Sequence, residues 1–298
     1  MPFTKSVFII KPKLSCLGNA MPTNPPNLLI HAKTESNIFA RVSPNQVGWE
    51  RLNMIAMALD IGKKFTLTTQ QYEYCAIILG GVCDIRTNRG EFLDVGRRTD
   101  VFTGMPYAIY LPPNTDFEIE SLSDDFQFAS CWATAKTERP LRLITPYETN
   151  MNLHAVGRIS TQTNTILSGE FSVWETYIPS TNWSYFPPRR FNNTETIFLC
   201  KQDRLSGFGL HRIYGEDESV DVAMTSQHND VVIVPPNHFH TMTSSPIGTT
   251  YVLGMSHAID NDTIQDKRYA WYSKVYEKAS LDPRLPIVDI GMEPPQEE

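Results

Sequence analysis

Short apolar or alternating runs recur along the chain, each closed by Gly, Pro, Asn or Asp, and this pattern predicts an all-β sandwich or barrel. Tyr74–Leu79, Phe117–Ser121, Phe126–Ala133, Ser172–Ile178, Phe208–Tyr214, Val231–Val234 and Thr250–Leu253 all read as strands, as do Val7–Ile10 and Leu28–Ile30. Cys75 to Leu79 is continuously apolar before Gly80 and Gly81, so it is expected to be buried on both faces. Helical spacing of aromatics is confined mainly to the tail, from Tyr269 to about Ala279.

The pattern also repeats. One apolar strand rises to Leu111-Pro112-Pro113-Asn114, and another to Val234-Pro235-Pro236-Asn237. A hydrophobic-Pro-Pro-Asn turn suits the tight connection of a jelly roll, and its recurrence predicts two jelly-roll β-barrels of similar size in one chain. The connector around Pro140 and Pro146 places the boundary, giving 1–145 and 146–298, with a short helical segment and a loosely packed tail at the end.

Composition narrows the class. The 298 residues are 41% hydrophobic, enough to bury real cores. A net charge of −7, with Lys and Arg scattered, argues against a nucleic-acid backbone as partner. No apolar run approaches the roughly 20 residues needed to cross a bilayer, and the first residues lack a signal-peptide pattern, so a cytoplasmic protein is expected. The five cysteines contain no Cys-x-x-Cys pair and read as buried thiols of a reducing compartment.

The segment Asn182-Trp183-Ser184-Tyr185-Phe186-Pro187-Pro188-Arg189-Arg190-Phe191-Asn192 carries the most specific chemistry. It resembles the Asn-Trp-Ser then Pro-Pro-His-x-His-Asp segment of the 5-deoxy-glucuronate isomerases of inositol breakdown. Gly96-Arg97-Arg98-Thr99-Asp100-Val101-Phe102-Thr103-Gly104-Met105-Pro106 continuing to Pro113, and Gly207 to Tyr214, are similar to further family motifs. The resemblance extends over roughly residues 45 to 275. It implies a double cupin (bicupin) fold and an aldose–ketose isomerisation of a sugar acid. It also implies a divalent metal held by the two histidines, a following glutamate and a later histidine.

Residues two apart on a strand share a face, so a His-x-His pair can converge on one ion. Arg189 and Phe191 occupy those two positions here, and neither has a lone pair to donate. Glu195 and His240 are the remaining counterparts, so the expected cofactor is none or a weakly bound divalent metal. Three readings stay open. Arg189 replaces the charge of the metal, paired with Glu195 or gripping substrate oxygens. Alternatively, ligands are recruited from His211, His228 or His238. In the third, the metal site has decayed and the barrel binds a sugar acid, acts as an interaction protein, or binds nothing. Losing a charge stabiliser typically costs about 10²–10³ in rate.

The first barrel is expected to be structural, the resemblance suggesting for Arg97 and Arg98 a structural ion pair or a contact between the barrels, and the second barrel is expected to hold the pocket. There the catalytic candidates are Glu195, Arg189 and Tyr214, and the substrate-binding candidates Arg212, Arg190 and Trp183, with Trp183 at the pocket mouth or in the core beside Trp174 and Tyr185. The expected partners are a small-molecule sugar acid and further copies of the chain, joined through barrel edges.

Overall fold

The computed structural model describes residues 27–33, 37–136, 139–155, 160–217, 220–257 and 263–272. The expected strand at Val7–Ile10, Cys16 and the expected helical segment beyond Tyr272 lie outside the described residues. Within them the chain is almost entirely antiparallel β-structure in four sheets.

The first half holds a six-stranded sheet, ordered Arg142–Ile144, Ala108–Leu111, Tyr72–Gly80, Gln127–Thr134, Asn53–Ala58 and Ile38–Val42. A four-stranded sheet of Lys64–Thr68, Asp116–Ser121, Cys83–Thr87 and Gly90–Val95 accompanies it. The second half repeats the plan. Its larger sheet runs Leu29–Ile30, Val231–Val234, Glu195–Gln202, Thr250–His257, Phe171–Ile178, Ser160–Leu167 and Asn150–Ala155. Its smaller sheet runs Asp221–Ser226, Gly209–Tyr214, Phe239–Ser244, Arg189–Phe191 and Thr263–Gln265. Each half is a pair of separate sheets rather than one closed barrel. The boundary read from the sequence assigns Leu29–Ile30 to the first half, but its hydrogen-bonding partner is Val231–Val234 of the second.

Strand parity explains the burial. In Tyr72–Gly80, Tyr74, Ala76 and Ile78 enter the core of the first half. Cys75, Ile77 and Leu79 point the other way, into a cluster shared with Ile197, Leu199, Val231 and Leu253 of the second half. The two large sheets are thus cemented through their outer faces, which is why the Cys75-to-Leu79 run carries no polar residue. Arg98 and Glu175 form a buried ion pair across this layer at 2.7 Å. Arg98 also donates to the Ile78 carbonyl, and Tyr251 donates to Glu175. Arg97 pairs with Asp94 at the surface.

The chain ends its described part with a 3-10 turn at Lys267–Tyr269 running into a helical stretch at 270–272. Asp266 caps the turn by accepting from the Arg268 backbone N–H. Cys75, Cys83, Cys131 and Cys200 are buried free thiols. No helix among the described residues is long and apolar enough to cross a membrane.

Candidate functional site

The strand Arg189–Phe191 lies between Phe239–Ser244 and Thr263–Gln265, with Arg189 opposite both His240 and Gln265. Alternation puts Arg189 and Phe191 on one face, where both line a cavity of about 340 Å³ in the second half. Arg190 takes the other face, pairs with Glu216 and lies over the Phe239 ring. Arg190 therefore does not line the cavity. Hydroxyl-bearing Thr163, Thr165, Thr176, Thr194 and Ser256 line the cavity, as do Trp174, Phe198 and Tyr185. Among its lining residues Arg189 is the permanent cation, and His154 stands in the same wall.

Arg189 forms no ion pair among the described residues. Its Nε is buried without a hydrogen-bond partner, and its guanidinium carbon lies 5.4 Å from the Tyr185 ring centre. Burial holds the His154 pKa below its usual value, and the Arg189 charge adds to that. Burial raises the Tyr185 phenol, with Arg189 opposing in part. The site therefore offers one fixed positive charge, a protonated phenol and a neutral imidazole.

His240 does not face the cavity as a free ligand. Its Nδ1 meets the Tyr185 hydroxyl, and its Nε2 is 3.1 Å from His211 Nδ1. His211 Nε2 in turn is 2.8 Å from Ser226 Oγ. Burial takes the His211 pKa down to about 3. The His240 pKa also falls well below its usual value, from burial first and the neighbouring His211 second. Both imidazoles are neutral at physiological pH.

Glu195 is placed where the sequence reading does not put it. Within Glu195–Gln202, Phe198 and Cys200 join the core of the second half, while Ile197 and Leu199 face the first half. Glu195 shares the latter parity. Its carboxylate accepts backbone N–H bonds from Glu50, Arg51 and Leu52 at 2.9, 3.1 and 2.7 Å. It ties the two halves together and has left the cavity, so neither a catalytic nor a metal-binding part fits it.

Tyr214 and Arg212 are also displaced from the expected site. His211 and Ile213 take the inner face of their strand, which leaves Arg212 and Tyr214 outside. Arg212 makes a two-pronged pair with Asp221 at 2.9 and 2.6 Å, 4.5 Å above the Tyr214 ring. Tyr214 is fully buried, but under the C-terminal turn, donating to Asp266 at 2.7 Å. Trp183 packs edge-on against Phe186 and is absent from the cavity lining. His228 and His238 hydrogen-bond the carbonyls of Gln202 and Pro236, and neither lines the cavity.

The residues at the position where the resemblance implies a metal do not fit a divalent ion. Arg189 and Phe191 have no donor electron pair, Glu195 is committed to three amides, and both His240 nitrogens are engaged. Among the described residues no group of three or more His, Cys, Asp or Glu could hold a metal. Tyr185 and Trp174, expected to pack the core of the second half, instead stand in the cavity wall. His211 is among the expected recruits, but its pairing with His240 joins residues 29 apart in sequence, which a single sequence does not reveal.

Comparison with known proteins agrees with this architecture. The chain is 30% identical over 239 residues to the 5-deoxy-glucuronate isomerase of Geobacillus kaustophilus, covering 76% of this chain and 86% of that relative. The enzyme of the same name from Bacillus subtilis strain 168 is 26% identical over 192 residues, 59% of this chain and 70% of the relative. The crystal structure of an IolB-like protein from Salmonella typhimurium LT2 superposes with a TM-score of 0.78 at 25% identity, covering 83% of this chain and 99% of that one. Bacillus subtilis oxalate decarboxylase shares the cupin fold, with a TM-score of 0.60 at 12% identity over 82% of this chain and 80% of its own. The KduI/IolB family profile matches residues 28–272, and the chain belongs to that family.

Proposed function

We propose that the second-half cavity binds a sugar acid of the hexuronate class, with Arg189 as the anchor for its carboxylate, and that the chain lacks the metal-dependent isomerisation of its relatives. The observation that carries this reading is a cation without a carboxylate partner among the described residues, in a hydroxyl-lined cavity, at the position where the family resemblance implies a metal-binding histidine. A guanidinium suits a planar carboxylate because its N–H groups can donate in parallel. The surrounding threonine and serine hydroxyls suit the hydroxyls of a sugar chain. Isomerisation through an enediolate needs positive charge at two oxygens and a base at carbon. Here one fixed cation takes the carboxylate, and the Glu195 carboxylate is turned toward the other half.

Calorimetric titration with D-glucuronate tests this reading. Saturable binding is expected, weakened about 10- to 100-fold in Arg189→Met, the worth of one charged hydrogen-bonding interaction. Unchanged binding in that variant would remove Arg189 from the site. Metal-stimulated turnover of 5-deoxy-glucuronate by the purified chain would overturn the claim that isomerisation is lost.

A further inference from the structure

Tyr185, His240, His211 and Ser226 form a single file from the cavity wall into the core of the second half. The two imidazole rings stack with their planes 27° apart and centres 5.3 Å apart. Of the four residues only Tyr185 lines the cavity. His211, Ser226 and His240 are 0%, 0% and 2% exposed, so the file is sealed from solvent behind Tyr185.

Hydrogen counting gives this file two states. A neutral imidazole has one N–H and one lone pair, so the contact between His240 Nε2 and His211 Nδ1 holds one proton. With that proton on His240, the Tyr185 hydroxyl donates to His240 Nδ1 and His211 Nε2 donates to Ser226. With it on His211, every bond reverses. Ser226 then donates to His211, His240 donates to Tyr185, and the Tyr185 hydroxyl is released to donate elsewhere. Both states are neutral and contain the same number of protons. Tyr185 can thus be hydrogen-bond acceptor or donor toward a bound ligand without charging the core.

We propose that Tyr185 catalyses metal-free opening and closing of the hemiacetal ring of the sugar acid that Arg189 anchors, so that the chain interconverts its anomers. This rests on the binding reading above and adds an activity to it. In the opening step the bond between C1 and the ring oxygen breaks, and its electron pair goes to the ring oxygen, which takes the Tyr185 proton. The anomeric hydroxyl gives its proton to Tyr185, and the freed pair forms the carbonyl at C1. Tyr185 ends as it began, nothing is oxidised or reduced, and closure on the opposite face of the carbonyl yields the other anomer. No C–H bond is broken, so neither an enediolate nor a cation to stabilise it is required. The Arg189 guanidinium beside the phenol ring favours the moment at which proton loss runs ahead of proton gain.

The test is exchange NMR of the two D-glucuronate anomers near pH 7 with the full chain in EDTA. Wild type is expected to speed interconversion at least about 10-fold over buffer, in the range of a positioned acid–base group. Tyr185→Phe should return to the buffer rate while its calorimetric affinity for D-glucuronate stays within about 3-fold and its melting curve remains cooperative. Ser226→Ala, which removes only the far end of the file, should retain binding and lose part of the acceleration. Tight binding without acceleration in wild type would overturn this inference and leave the binding reading standing. Full acceleration in Tyr185→Phe would overturn it as well, and absence of D-glucuronate binding would sink both.

Discussion

Glu195 and Thr196 are neighbours on a strand whose two faces look into different compartments. A shift of one place decides whether a carboxylate enters the cavity or the joint between the halves. Glu195 enters the joint, where three backbone N–H groups converge on it. Glu195→Gln should therefore leave D-glucuronate affinity unchanged and destabilise the fold by about 1.5–3 kcal/mol, the scale of hydrogen bonds to a charged group. Urea unfolding beside a binding titration checks this; a loss of affinity with intact stability would return Glu195 to the site. The parity of Arg189 and Phe191 was legible because a strand fixes residues two apart on one face. Glu195 was not, because it lies beyond the loop at Asn192–Thr194, whose length the sequence does not convert into register. The alternation of Arg212 and Tyr214 against His211 and Ile213 was equally plain, yet which pair turns inward depends on what covers the outer face. That cover is the C-terminal turn at Asp266, 52 residues from Tyr214.

At the scale of elements, the repeated Pro-Pro-Asn turn carried real information. Asn114 and Asn237 both adopt left-handed backbone, with φ of 56° and 63°, each after an apolar strand of a large sheet. Asn is among the few non-glycine residues that tolerate this conformation, so the sequence echo reflects a shared turn geometry. The paired strands Gly209–Tyr214 and Phe239–Ser244 make a different prediction, because they bury His211 and His240 face to face. Their folded pKa values lie below the unfolded value, so between pH 6.5 and 3 the unfolded chain binds more protons than the folded one. Stability must then fall as pH drops through that window. His211 alone contributes up to about 5 kcal/mol by pH 3. Urea midpoints from pH 7 to 4 should fall less steeply in His211→Gln than in wild type; parallel slopes would mean that His211 titrates normally in the folded protein.

The whole molecule is held by the layer between its two large sheets, and the charges inside that layer are of two kinds. Arg98 and Glu175 compensate one another: burial alone would lower the Arg98 pKa, and the Glu175 carboxylate, with Tyr251 and Tyr177 beside it, raises it above its usual value. Lys201 has no carboxylate in ion-pair contact among the described residues, and the Asp100 charge only partly opposes the effect of its burial. It is 5% exposed, donates to Gln127 Oε1 at 2.9 Å, and burial first, then the Arg98 charge, lowers its pKa to about 8. Below pH 8 the folded chain carries the cost of a buried ammonium, and the cost disappears as pH rises toward the unfolded value of 10.5. Lys201→Met should therefore stabilise the protein at pH 7 by up to about 3 kcal/mol, with the gain shrinking between pH 8 and 10.5. Thermal melts across that range check it, and a destabilised variant at pH 7 would show that the ammonium is better solvated than its burial implies. The double-cupin plan was legible from motif order across the chain. The crossing of Leu29–Ile30 into the second half was not, since a two-residue apolar strand has no signature of its partner.

The central claim is that an arginine, and no divalent ion, holds the ligand in the second-half cavity. It is tested most directly by measuring D-glucuronate affinity in EDTA and again with saturating Mn²⁺. Equal affinities in the two conditions are predicted. Binding that appears only when Mn²⁺ is present would contradict the account.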